Sequence, residues 1–127
     1  MNTLTTRWIR KAEADARGAD ELARAEPGLS DLVCFHCQQA AEKYLKALLQ
    51  EFGLAVPRTH NLDQLLGALL PHDKTLRALR RHLVSLSRFA VDYRYPGHGA
   101  TSRQARSALR QLATVRRATR QRLGLRS

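Results

Sequence analysis

Residues 30–52, SDLVCFHCQQAAEKYLKALLQEF, set the strongest limit on what this chain can fold into. Apolar side chains recur at helical spacing along two adjoining rows, Val33, Cys37, Ala40, Ala41, Tyr44 and Leu48, and Cys34, Ala41, Leu45, Leu48 and Phe52. Only one clean polar stripe is left, formed by His36, Gln39, Lys43, Lys46 and Gln50. A helix so nearly apolar all round cannot lie on the outside of a small domain. It must be enclosed by neighbouring helices, by a second subunit, or by both.

The flanking sequence supplies candidates for that enclosure. Residues 5–25 place Leu4, Trp8, Ala12, Ala16, Ala19, Leu22 and Ala23 near one face, with Thr3, Thr5 or Thr6 as the cap and Pro27-Gly28 as the stop. Ser30 is the expected cap of the central helix, which stops at Gly53. Asn61, followed at three residues by Gln64, opens a short helix over 62–70 that buries Leu62, Leu65, Leu66 and Leu69 and ends at Pro71. A fourth helix begins near Asp73, carries Leu76, Leu79, Leu83, Leu86, Ala90 and Tyr93, and ends before Pro96. The last, capped by Thr101 or Ser102, runs to about Leu123. Ala105, Ala108, Leu109, Leu112, Val115, Thr119 and Leu123 face inward, and Arg103, Arg106, Arg110, Arg117 and Arg120 face out. Nothing alternates with the period of a strand. The expectation is an all-α, five-helix up-and-down bundle forming a single domain over residues 1–127.

At 127 residues a chain typically buries about two-thirds of its unfolded surface, so a core is available without disulfides or metals. No apolar run reaches the roughly 20 residues needed to span a bilayer, and the N-terminus lacks a signal-peptide core, so the expected location is cytoplasmic with no membrane association. Cys34 and Cys37 form a Cys-x-x-Cys, but no strand leads into it, and a zinc site would need a second ligand pair that is missing. They read as small buried apolar residues, and no metal or other cofactor is expected.

The net charge of +11 is unevenly placed. Residues 1–63 hold 8 Lys+Arg against 9 Asp+Glu, residues 64–127 hold 14 against 2, and no acidic side chain follows Asp92. This points to an anionic or charge-complementary partner, or to an arginine bias in composition, since 18 of the 22 basic residues are Arg. Candidate contacts follow from residue type. Arg94 and His98, on a glycine-containing turn flanked by Tyr93 and Tyr95, could meet a phosphate and stack a base; the alternative is a loop whose tyrosines pack on the bundle. Arg58 and His60 precede a helix N-terminus, where anions are favoured, although a turn histidine also bonds readily to backbone. Lys43 and its stripe could line a ligand groove, cross a two-fold axis, or face solvent. The arginine row of the last helix could bind phosphates or an acidic protein, or simply be solvated.

FHCQQAAEKYLKALL, then PRTHNLDQLL, then YRYP, in this order over about two-thirds of the chain, resemble the HEPN family, the higher-eukaryote and prokaryote nucleotide-binding domains. Phe35, His36, Gln38, Gln39, Ala40, Ala41, Glu42, Lys43, Leu45, Lys46, Ala47, Leu48 and Leu49 match the first motif. The resemblance implies a bundle of HEPN type that forms a homodimer. Many HEPN proteins are metal-independent ribonucleases with Arg, four to six residues, then His. One literal instance is Arg77 to His82, whose side chains would diverge by about 140° on a continuous helix. Arg94 and His98 correspond in order along the chain but leave only three residues between them. RYP is what the non-nuclease branch often shows there. The resemblance therefore implies an accessory or toxin–antitoxin component acting with a minimal nucleotidyltransferase and binding nucleotide or RNA, and leans away from an enzyme. The rivals are a ribonuclease using Arg94 and His98 as catalytic pair, and a purely structural interaction module.

Overall fold

The computed structural model describes every residue except 26–27, 93–95, 98 and 127, and the backbone alone for 89–92. Five α-helices run in the order α1 (Thr3–Arg24), α2 (Ser30–Glu51), α3 (Leu62–Leu69), α4 (Arg80–Asp92) and α5 (Ser102–Arg122), with a 3-10 helix, Lys74–Leu79, leading into α4. No strand occurs among the described residues. The arrangement is up-and-down. Asn2 at the start of α1 reaches Glu51 and Gln50 at the end of α2, and Arg122 at the end of α5 reaches Asp73 and Thr75 ahead of α4.

The enclosure demanded by α2 is complete within the chain. Thirteen of its 22 residues are buried, and Tyr44, Leu45, Leu48 and Leu49 have no exposed surface at all. Ile9, Ala12 and Ala19 from α1, the four leucines of α3, Leu76 and Leu79 of the 3-10 turn, Leu83 and Leu86 of α4, and Ala108, Leu112 and Val115 of α5 close around it in one core. A second subunit is not needed to keep the central helix dry. Each fully buried leucine contributes about 1.5–3 kcal/mol relative to its exposed state, so α2 carries the largest apolar share of the fold.

Several expected details are corrected. Asn2, not Thr3, Thr5 or Thr6, caps α1: its Oδ1 accepts from the Thr5 backbone at 2.8 Å. Thr5 is buried instead, its hydroxyl 2.9 Å from Asn2 Oδ1 and 3.0 Å from Glu51 Oε1, tying the start of α1 to the end of α2. Ser30 is the first helical residue rather than the cap of α2; Leu29 occupies that position with no side-chain bond. In its place Asp31, in the first turn, complements the helix dipole and accepts the Ala100 N–H at 2.6 Å, pinning the approach to α5 onto the head of α2. The fourth helix does not start as an α-helix near Asp73, because Asp73 holds Thr75 N–H at 3.0 Å and tightens the following turn into 3-10 form. Leu4 and Ala23 are exposed, Trp8 is half-buried, and Ile9, absent from the expected face, joins the core.

Other details agree. Gly53 closes α2 at φ +73, with its N–H on Gln50 O and the next N–H, from Leu54, on Leu49 O. Asn61 caps α3 through Gln64 N–H at 3.0 Å. Thr101 and Gln104 form a reciprocal capping box on α5. Ala90 and Tyr93, expected on the inner face of α4, lie outside the described side chains. No helix among the described residues is long and apolar enough to cross a membrane.

Candidate functional site

Of the polar stripe of α2, His36, Lys43 and Lys46 are engaged within the chain rather than simply solvated. Asp15 of α1 receives both His36, through Nδ1 at 2.9 Å, and the Lys43 ammonium. One turn further along, Glu42 is 3% exposed and Lys46 7%; they pair at 3.0 Å, and Lys46 Nζ also lies 5.5 Å from the centroid of the Trp8 ring. Glu42 has a second partner in His60, whose Nδ1 is 2.9 Å from Oε1 although its side chain is 84% exposed. Gln38 donates to the His60 carbonyl at 3.1 Å and accepts from Gln39 at 2.8 Å. This polar ladder seals α2 against α1 on one side and against the connection into α3 on the other.

The candidate binding residues are therefore placed as follows. Lys43 is committed to Asp15, and His60 to Glu42 through one ring nitrogen. The opposite edge of the His60 ring stays open. Arg58, two residues away, is exposed and has no carboxylate partner among the described residues. The N-terminus of α3 already holds anionic or polar acceptors, with Asn61 as its cap and Asp63 in its first turn, the latter 3.5 Å from Arg80. Tyr93, Arg94, Tyr95 and His98 lie outside the described residues. Pro96 and Gly97, between them, are exposed, and Gly97 has φ +91, a conformation that favours glycine in the turn.

Arg77 and His82 do not form a pair. Arg77 sits exposed in the 3-10 turn, whereas His82 is in α4 with Nδ1 against Gln111 of α5. The break from 3-10 to α form between them replaces the continuous helix that sequence spacing assumes.

Sequence reasoning missed the clamp between α1 and α5. Glu13 accepts from Arg116 at 3.0 Å and from Arg120 at 2.8 Å, so Arg120, expected to face outward, is turned onto α1. Burial would raise the Glu13 pKa, but the hydrogen bond and charge of Arg116, with the hydrogen bond of Arg120, hold it below the usual value. Arg122 likewise spans to Asp73 at 2.9 Å. Arg103, Arg106, Arg110 and Arg117 remain exposed on α5, and Arg77, Arg81 and Arg88 before and along α4, with no carboxylate within salt-bridge reach among the described residues. The signal for the clamp was one acidic residue on α1 facing a basic stretch of α5, which no local spacing rule relates.

Cys34 and Cys37 are both free and buried. Burial, reinforced by the Asp31 carboxylate, pushes the Cys34 thiol up to about 11, and burial pushes Cys37 higher still, so neither is a thiolate near neutral pH. No cluster of three metal-ligating side chains occurs among the described residues.

Three comparisons bear on this arrangement. Residues 5–122 match the HEPN domain family. The crystal structure of TT1696 from Thermus thermophilus superposes with a TM-score of 0.77 at 29% identity, covering 92% of this chain and 96% of that one. The crystal structure of ST0689, an archaeal HEPN homologue, superposes with a TM-score of 0.72 at 24% identity, covering 93% and 96%. Comparison with curated proteins gives no match. The match over nearly the whole of a five-helix bundle with an enclosed α2 means that the chain belongs to the HEPN domain family.

Proposed function

We propose that this HEPN protein is a non-nucleolytic binding module of the RYP-containing kind, a homodimer that acts beside a separately encoded minimal nucleotidyltransferase, as a toxin–antitoxin component does, and holds nucleotide or RNA. The observation that supports it is the row of arginines before and along α4 and on α5 that no carboxylate among the described residues neutralises. Arg58, the open edge of His60, and the Tyr93, Arg94, Tyr95 and His98 segment are the contacts assigned to the ligand.

Binding through phosphates has a definite signature. The logarithm of the binding constant for single-stranded RNA should fall linearly with the logarithm of salt concentration, by about 0.7 per phosphate engaged. Fluorescence anisotropy of labelled RNA and of labelled ATP across salt measures it, and Arg58→Ala and Arg94→Ala should each weaken binding. Co-purification from the native source should bring down a nucleotidyltransferase. A homodimer that binds neither nucleotide nor RNA at low salt leaves a structural interaction module as the reading. Cleavage of RNA in EDTA that disappears in His98→Ala would replace the binding module by a ribonuclease.

A further inference from the structure

Both α1 and α5 lean on α2 but hardly on each other. Beyond the Glu13 clamp, their antiparallel seam is an open groove. One part, of about 500 Å³, lies between Glu13, Ala16, Arg17 and Asp20 of α1 and Leu109, Leu112, Ala113, Arg116 and Arg117 of α5. A second, of about 230 Å³, continues toward the far end between Leu22 and Ala25 on one side and Ser102 and Arg106 on the other, over Val33. From Ala105 to Arg117 the seam follows α5 for roughly 18 Å at about 1.5 Å per residue, a little over three helical turns.

The floor is made of small and aliphatic side chains, Ala16, Leu109, Leu112 and Ala113, which admit close approach of a helix carrying an apolar stripe. The α5 rim is cationic, with Arg106 and Arg117 exposed and without carboxylate partners among the described residues, whereas the α1 rim is mixed, with Arg17 beside Asp20. Glu13 is already occupied by two arginines. Asp20, however, stands in the groove and would repel a phosphate backbone, and no aromatic side chain lines it to stack a base. A second copy of this chain laid across α5 would set arginine against arginine. What complements an apolar floor with one basic rim is an apolar stripe with an acidic edge turned toward α5.

We propose that the groove between α1 and α5 is the docking site for an acidic amphipathic helix of a partner protein. The inference goes beyond the nucleotide and nucleotidyltransferase reading: it gives Arg106 and Arg117 to a protein and leaves Arg58, the arginines before and along α4, and Arg103 to the nucleotide. The partner supplies apolar residues at i, i+3 or i+4 and i+7 for the floor, and Asp or Glu on the flank that meets Arg106 and Arg117.

The test is a display selection of random peptides of about 16 residues, long enough to lie along the whole seam, against the full chain at about 0.3 M salt, where the Debye length falls to roughly 5–6 Å. Recovered peptides should share helical apolar spacing with an acidic flank along one side. Ala113→Trp, which fills the groove from an exposed position, and Arg117→Glu, which reverses one rim, should each weaken the recovered peptides at least about tenfold. Arg7→Glu, with the same charge change on the outer face of α1, should alter affinity less than about twofold. Far-UV circular dichroism checks that each variant is folded, and Arg117→Glu stands alone should Ala113→Trp misfold. The proposal is overturned if no acidic, helix-spaced consensus emerges, if both groove variants bind within twofold of the parent, or if Arg7→Glu weakens binding as much as Arg117→Glu. It is overturned equally if a short single-stranded RNA displaces the peptides and is itself blocked by Ala113→Trp, because the groove then belongs to nucleic acid.

Discussion

Replacing Lys46 by Met is expected to destabilise the protein more than any surface charge change, and the structure gives the size of the effect. The Lys46 side chain is 9% exposed and its partner Glu42 only 4%, with 3.0 Å between their charged atoms. Lys46→Met keeps the stem over Trp8 but leaves the Glu42 carboxylate facing only His60, whose side chain is itself largely exposed. Breaking a buried pair by removing one partner costs about 3–5 kcal/mol, whereas replacing both by apolar residues is often neutral or stabilising. For a chain of 127 residues whose total stability is about 0.05–0.15 kcal/mol per residue, that single change takes a large share. Urea unfolding followed by circular dichroism should show the midpoint of Lys46→Met lowered by about 1 M or more, given a slope of about 1–3 kcal/mol per molar. Glu42→Leu with Lys46→Met together should recover to within about 1 kcal/mol of the parent, a coupling of about 2 kcal/mol or more. Measurements at two protein concentrations separate folding from any association. If Lys46→Met costs less than about 1 kcal/mol, or if the double variant is as unstable as the two single effects summed, the buried pair does not hold α2 in the way argued.

Three further outcomes are expected. Thr101→Ala removes the side-chain half of the α5 capping box and should cost about 1 kcal/mol, seen as a thermal midpoint lower by roughly 3–6 °C; no change would mean that Gln104 alone suffices. Glu13 and Asp73 ionise more readily folded than unfolded, so the stability each lends is complete above the ordinary values of 4.5 and 3.8 and is lost as pH falls through the lowered ones. A thermal midpoint flat above about pH 4.5 and falling below it is expected, with a shallower fall in Glu13→Gln. Cys34 and Cys37 should resist iodoacetamide in the native protein and react at the rate of ordinary thiols in urea; rapid native labelling would refute their burial.

Much of the frame was legible because it depends on local periodicity. The two apolar rows of α2 identify Leu45 and Leu48 as enclosed, and both have no exposed surface. Asn61 with Gln64 announces a helix start by chemistry that acts over three residues, and Thr101 announces another as a cap, its pairing with Gln104 seen only in the structure. Where local signals failed, a distant group had taken over. Ser30 is a good cap by composition, but Asp31 and Ala100, 69 residues apart, anchor the head of α2 instead. His36 and Lys43 look solvated until Asp15 arrives from another element to satisfy them. Arg120 faces outward on a helical wheel and turns inward because Glu13 lies across the seam. Polar partners far apart in sequence leave no periodic trace, so a polar ladder inside a bundle reads as surface.

The same long-range pairing decides where charge is left over. Among the acidic residues of the first half, Glu13, Asp15, Asp31, Glu42, Glu51 and Asp63 are all held in bonds or ion pairs that join one element to another. Their near-balance with the basic residues of that half is therefore spent on assembling the bundle and tells little about its surface. The second half has 14 basic residues and only two acidic ones, and Asp73 is tied to Arg122. Folding brings Arg116 and Arg120 to Glu13 and Arg80 to Asp63, yet leaves Arg103, Arg106, Arg110 and Arg117 along one helix with nothing to oppose them among the described residues. Solvated like charges at such spacing repel modestly and contribute nothing to the core. Reversing Arg106 and Arg110 to Glu should therefore leave stability unchanged or slightly raised, within about 0.5 kcal/mol. A loss of more than about 2 kcal/mol would place these arginines in the fold itself and remove the argument that they are kept for a partner.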